Sequence, residues 1–275
     1  MIERNETRTH YRVLTIAGSD SGGGAGIQAD IKTFSALGCY GMSVITALTA
    51  QNTRGVTGIH PVPLPFVARQ IAAVLTDIGA DAVKIGMLHS AELVEVVASS
   101  LRAHNPRNIV LDPVMVAQSG DRLSGDDTIE ALKKHLMPLA DVLTPNIPEA
   151  EMLLDRELRS PEDLRQGARE LAEYGSRSVL IKGGHSMEED TSTDLLYLAA
   201  EDRFVTLTDQ RVETRNNHGT GCTLSSAIAG FLAKGHNIQA AVEKAKSYIG
   251  QAIRAGAEYT LGQGGGPVHH FFEYW

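Results

Sequence analysis

Val13-Leu14-Thr15-Ile16-Ala17 runs straight into Gly18-Ser19-Asp20-Ser21-Gly22-Gly23-Gly24-Ala25-Gly26, and the amphipathic stretch Ile27–Leu37 follows. An apolar run that does not alternate with polar residues suits a strand covered on both faces. With the glycine-dense turn and the amphipathic stretch behind it, the segment reads as a strand–turn–helix unit. The same beat recurs down the chain. Met42–Leu48, Ala82–Ile85, Ile109–Asp112, Val142–Thr144 and Ser178–Lys182 read as further strands, and Phe66–Ile78, Ala91–Ala103, Thr128–Met137 and Glu162–Tyr174 as helices between them. Such alternation predicts a parallel sheet between two helix layers. Leu195–Ala199 and Phe204–Thr208 flank the polar Ala200–Arg203 and break the beat as a hairpin, an antiparallel addition to the sheet. Cys222–Ala233 and Ile238–Ala255 close the chain as helices. The predicted architecture is an α/β three-layer sandwich over residues 13–275, behind a polar extension over residues 1–12.

Composition narrows the function. The chain has 275 residues and a formal net charge of −8, which argues against nucleic acid or an anionic membrane as the main partner. No apolar run approaches the ~20 residues that span a bilayer, and Met1–Arg12 lacks the apolar centre of a secretory signal. The two cysteines, Cys39 and Cys222, are too few for a disulfide framework or a four-thiol zinc site and fit a reducing cytosol.

Gly24-Ala25-Gly26-Ile27-Gln28-Ala29 matches the G-x-G-x-x-A form of a dinucleotide-binding turn. That turn also needs an acidic residue about 20 positions later for the ribose hydroxyls, and no Asp or Glu lies between Ile31 and Thr76. A nicotinamide dehydrogenase is therefore disfavoured. The P-loop pattern G-x-x-x-x-G-K-[ST] is absent as well. Instead, the loop sits where a strand of an open α/β sheet ends, the rim at which such sheets bind ligands. Its glycines let a ligand approach the backbone, or they simply permit a tight turn.

Asn216-Asn217-His218-Gly219-Thr220-Gly221-Cys222-Thr223 leads into the helix Leu224–Ala233. Small residues at a helix start leave the first amides open, and those donors together with the helix dipole form an anion hole. A transferring phosphoryl group spreads negative charge over its oxygens, so Gly219, Thr220 and Gly221 are candidate catalytic residues. Cys222 sits in the first turn, where the dipole is expected to lower its thiol pKa and make it a base toward an alcohol. Its bland alternative is a small apolar filler under the helix.

The chain resembles the hydroxymethylpyrimidine/phosphomethylpyrimidine kinases, members of the ribokinase-like family. The resemblance is carried by Ala17–Asp30, Thr46–Thr53, Val83–Leu88, Asp112–Met115, Thr144–Glu151 and His218–Thr223, and it extends to Gly264–Trp275. It implies a ribokinase-like fold and two successive ATP-dependent transfers in one site, making the monophosphate and then the diphosphate used for thiamine phosphate. It also implies Gln51 as the residue that pairs with the pyrimidine, and Gly18, Asp30, Met87 and Val114 as its pocket. Asn146, Lys182 and Asp112 are implied near the ATP phosphates, with Glu149 and Asp112 at Mg²⁺. A glutamate at a helix start is also good capping practice, and Met87 is equally at home in a core. Two positions depart from the family pattern: Gln118 stands where lysine is expected, and Asn217 where threonine is. The implied assembly is a homodimer in the cytoplasm. Pyridoxal kinase on the same scaffold is the nearest rival, and a ligand-binding sensor without turnover is the rival from another class.

Overall fold

The computed structural model describes residues 9–115, 125–183 and 190–275. Arg12–Ala17 forms the strand β1, Gly26–Ala36 the helix α1, and Tyr40–Ile45 the strand β2, parallel to β1. Ala47–Asn52 (β3) and Gly55–Pro61 (β4) leave the sheet and pair with one another as an antiparallel ribbon. Then come α2 (Leu64–Asp77), β5 (Ala82–Ile85), α3 (Ala91–His104), β6 (Ile109–Leu111), α4 (Asp126–Ala131) and β7 (Val142–Leu143). The second half holds α5 (Ile147–Leu154), α6 (Pro161–Glu173), β8 (Ser178–Ile181), β9 (Thr191–Leu198), β10 (Arg203–Gln210), α7 (Thr220–Ala233) and α8 (Ile238–Gly256).

The main sheet runs β10-β9-β8-β7-β6-β5-β1-β2. All its neighbours are parallel except β8–β9 and β9–β10, the hairpin expected from the sequence. Because the strand order reverses about β1, with β2 on one side and β5 on the other, the carboxyl ends of β1 and β5 open a crevice.

Successive residues of a strand point to opposite faces, and each face here has its own core. Leu14, Val83 and Leu111 pack with Ile71 of α2 and Val97 of α3. Val13, Ala82 and Val110 pack with Phe34 of α1, Ile228 of α7 and Val242 of α8. Thr15 and Lys84, opposite one another in the β1–β5 register, share that second face. A lysine thus lies inside a largely apolar layer, with polar partners of its own.

Three expectations need correction. Met42–Leu48 is not one strand: it breaks at Thr46, and its end begins the ribbon. Thr128–Met137 is not one α-helix, because α4 widens into a π-helical turn at Leu132–Leu136 and a 3-10 turn at Met137–Leu139. Pro138, which has no N–H to donate, sits in that final turn. The third concerns α5, a helix that opens with Ile147-Pro148 in a stretch the apolar pattern leaves unassigned. The C-terminal aromatics pack on the protein itself, with Tyr274 donating to the Ala36 carbonyl and Tyr248 to that of His270. Among the described residues no helix is long and apolar enough to cross a membrane.

Candidate active site

The crevice widens into a cavity of about 1000 Å³. Its floor is the row of positions just past the parallel strands: Gly18 after β1, Met87 after β5, Asp112 after β6, Asn146 after β7 and Lys182 after β8. One lobe lies under the ribbon, lined by Gln51, Val56, Ile59, Met87 and Val114. The other runs along Arg211–Thr214 and the α8 residues Ile249 and Ile253. The start of α7 stands between the two.

Gly219 precedes α7 with φ of +79° and no side chain caps the helix. A Cβ there would sit 1.8 Å from the Gly24 carbonyl oxygen, so the position admits only glycine. The Thr220 amide donates to the Asn217 carbonyl at 3.3 Å and the Thr223 amide to that of Gly219 at 2.8 Å. The amides of Gly221 and Cys222 have no protein acceptor among the described residues. These two open donors, at the positive end of a 14-residue helix, form an anion hole. The Thr220 hydroxyl is turned away, donating to the Asn217 carbonyl at 2.7 Å.

Lys182 faces that hole. Its Nζ would lie 3.4 Å from a Cβ placed on Gly221, and it donates to Asp112 Oδ1 at 2.8 Å, with Glu149 Oε2 at 3.8 Å. Burial alone would lower the Lys182 pKa, but Asp112 and Glu149 reverse that tendency and hold it charged. Asp112 has further partners: Oδ1 also accepts from Thr144 at 3.2 Å, and Oδ2 from Ser225 at 3.1 Å. Burial works to raise its pKa, yet Lys182 and Lys84 bring it below the usual carboxylate range. Asp112 therefore holds Lys182, and its Oδ2, which accepts from Ser225 alone among the described residues, keeps a lone pair for a cation.

Glu149 and Asn146 form a capping box on α5, with the Asn146 side chain accepting from the Glu149 amide at 2.8 Å and Glu149 Oε2 from the Asn146 amide at 2.7 Å. Burial pushes the Glu149 carboxyl up to about 7, Lys182 counters and Asp112 reinforces. A carboxylate so poorly compensated would be relieved by a divalent cation. Among the described residues no group of three or more His, Cys, Asp or Glu is placed to hold a metal.

Two further expectations need correction, one on electrostatics and one on geometry. Cys222 lines the cavity, but burial pushes its thiol up to about 11, against the opposing pull of Lys84 and with Asp30 and Asp112 adding to the rise. The helix dipole does not lower it below its ordinary value. Asp30 does not reach the pocket wall. It is fully buried between Thr15, Ser226 and Lys84, accepting from the two hydroxyls at 2.6 Å each and pairing with the ammonium at 2.9 Å.

The remaining substrate candidates do gather in the ribbon lobe. Gln51 is fixed by Ser21, whose hydroxyl donates to its carbonyl at 2.7 Å and accepts from its amide at 2.8 Å. Its side-chain oxygen accepts from Thr49 at 3.3 Å. A Cβ on Gly18 would meet the Met87 methyl at 2.9 Å, so glycine there makes room for the thioether. Gln118 lies outside the described residues, whereas Asn217 lines the cavity and serves as acceptor for Thr220.

The first glycine loop is closed on itself. Asp20 accepts from the Gly22, Gly24 and Ala25 amides at 2.8, 3.0 and 2.9 Å, and from His218 Nε2 at 2.8 Å. A Cβ on Gly24 would fall 2.3 Å from His218 Cδ2. Lys84, Ser225 and Thr144 take their roles from partners far along the chain, Lys84 from Asp30 and the other two from Asp112, whereas Asp20 joins neighbouring amides to the distant His218.

The phosphomethylpyrimidine kinase family model matches residues 20–269. A hydroxymethylpyrimidine/phosphomethylpyrimidine kinase of Rhizobium meliloti is 51% identical over 95% of this chain and 97% of its own length. The thiamine biosynthesis bifunctional protein of Geobacter sulfurreducens is 52% identical over 94% of this chain, which spans about half (52%) of that longer protein. Among solved structures, Bacillus subtilis pyridoxal kinase in its ADP complex superposes with a TM-score of 0.87 at 35% identity, covering 95% of this chain and 98% of the other.

Proposed function

The chain belongs to the phosphomethylpyrimidine kinase family, and from that premise we infer how its cavity works: ATP phosphorylates hydroxymethylpyrimidine to the monophosphate, and then the monophosphate to the diphosphate that thiamine synthesis uses. The observation that carries the reading is the pair of open amides at Gly221 and Cys222 beside the Lys182 ammonium. Pre-aligned donors of this kind stabilise the charge that a transferring phosphoryl group spreads over its oxygens.

The pyrimidine lies under the ribbon, with its exocyclic amine and a ring nitrogen on the Gln51 amide and its faces against Met87 and Val114, above Gly18. The nucleotide extends along Arg211–Thr214 and α8, bringing its terminal phosphate to the start of α7. In the first transfer the hydroxymethyl oxygen bonds to phosphorus as the bond to ADP breaks. Its proton passes to Cys222, which accepts it only as a thiolate. With the thiol pKa at about 11, that form is scarce at neutral pH. In the second transfer the nucleophile is a phosphate oxygen already ionised near neutral pH, and no base is needed. Glu149, supported by Asn146, would hold Mg²⁺, which would supply positive charge against the nucleotide phosphates.

The pyridoxal reading shares the scaffold, but the pyrimidine kinases are the more similar in sequence, at 51% against 35% identity. We further propose a homodimer in the cytoplasm. Leu48 on the ribbon and Phe66 at the start of α2 are each about half exposed, apolar groups a second copy would cover. Analytical ultracentrifugation is expected to give twice the chain mass, and a monomer at micromolar protein contradicts the pairing. The functional test is ADP release with hydroxymethylpyrimidine, its monophosphate and pyridoxal side by side. Turnover of the first two above pyridoxal supports the assignment, and preference for pyridoxal overturns it.

A further inference from the structure

Behind the ribbon lobe lies a buried ion pair to which the two transfers assign no task. Lys84 Nζ sits 2.9 and 3.0 Å from the two oxygens of Asp30, and both side chains are fully buried. Lys84 nevertheless reaches the cavity wall that Cys222 also lines. The helices α1 and α7 meet there at two levels. The Gly26 amide acts on the Cys222 thiol to hold its pKa down, and one turn further on Asp30 accepts from Ser226 at 2.6 Å. The thiol and the carboxylate thus lie one turn apart on adjoining helices, with the ammonium of β5 beside both.

Four charged groups act on the sulfur: Asp30 from α1, Lys84 from β5, Asp112 after β6 and Lys182 after β8. Asp112 and Lys182 form a second pair at 2.8 Å, with Glu149 beyond it. Lys84 and Asp30 act on the sulfur more strongly than Asp112 does. We propose that this pair acts as positioning machinery for Cys222, the ammonium supporting its thiolate and the carboxylate opposing it. Burial is the largest influence on the Cys222 thiol, with Lys84 pulling its pKa down and Asp30 pushing it up, in the sense the geometry requires. Burial would likewise strip the proton from Lys84, but Asp30, with Cys222 and Asp112, keeps it on. The proposal rests on the reading of Cys222 as proton acceptor in the first transfer and names what tunes that acceptor.

The two halves of the pair have opposite signs, which separates an electrostatic role from a structural one. The full-length chain is alkylated with iodoacetamide across a pH series, and modification of Cys222 is followed by peptide mass spectrometry, with the buried Cys39 as internal reference. Asp30→Asn is expected to move the onset of alkylation to lower pH, and alkylation at a fixed pH then becomes about tenfold faster for every pH unit the onset moves. Lys84→Met is expected to move the onset to higher pH, and the double variant to restore the wild-type onset. Movement in the same direction for both single variants, or none in either, overturns the proposal. The double variant buries no lone charge, so it decides the matter if a single variant fails to fold: an onset displaced from wild type counts against the pair. The alkylation rates report the charge on sulfur whatever the kinase does. If the onsets move as expected while the first transfer ignores them, the proton-acceptor reading fails and the tuning stands.

Discussion

The two glycine loops look alike in sequence and behave oppositely in space. Both follow a strand, both open a helix, and both line the cavity. In the first, Asp20 supplies a carboxylate that takes the amides of Gly22, Gly24 and Ala25, so the loop carries its own anion. In the second, the helix start is uncapped and the Gly221 and Cys222 amides stay open. Glycine density therefore marks where backbone can approach, while the nearest carboxylate decides whether that backbone can still bind a phosphate. The loops also touch, through Gly24 against Gly219 and through His218 on Asp20. The closed loop is the template that holds the open one in place.

The largest expected effect comes from breaking the open loop. Gly219→Ala places a Cβ on the Gly24 carbonyl at a left-handed backbone position, and must displace the hole. Both transfers are expected to slow by about a thousandfold, the upper range for losing an anion-hole donor. Steady-state rates with each acceptor check this. Next in size is Cys222→Ala, expected to slow the first transfer by ~100-fold and the second far less. The asymmetry is read by comparing the two acceptors under saturating ATP. A third outcome concerns pH. With the thiol raised to about 11, the first transfer in wild type is expected to climb about tenfold per pH unit between pH 7 and 9, while the second stays level. A flat profile for both would remove the thiolate.

The smallest effect on rate, and the clearest on stability, belongs to the closed loop. Asp20→Asn weakens three amide bonds and the link to His218, and is expected to cost about 3 kcal/mol, on the scale of hydrogen bonds to a charged group. Urea unfolding at pH 7 measures it. Burial works to raise the Asp20 pKa, but His218 and the loop amides outweigh it and leave the value lowered. A carboxyl with a depressed folded pKa stabilises above its unfolded value and loses that contribution as pH falls through the folded one. Wild type and Asp20→Asn should therefore differ at neutral pH and converge below about pH 4.

The parallel strands were legible because runs such as Ala82–Ile85 are buried on both faces and show no alternation. Lys84 in that run gave no local hint of its role, because its partner Asp30 is 54 residues away. The ribbon escaped notice because β4 is exposed for most of its length and Thr49, Gln51 and Val56 face a cavity, so no apolar period marks it. The open amides at Gly221 and Cys222 could be inferred from small residues at a helix start. The closure of the first loop could not, since Asp20 reads as one polar residue among serines and its His218 partner lies 198 positions on. The raised thiol likewise depends on burial, which a helix-start position does not disclose.

The most direct measurement is a titration of the ¹⁵N-labelled protein with a non-hydrolysable ATP analogue, following individual amide resonances. If the open loop grips the terminal phosphate, the Gly221 and Cys222 amide protons move strongly downfield, while those of Gly22, Gly24 and Ala25 stay with Asp20. Movement of the first-loop amides with the α7 pair unchanged would contradict the account.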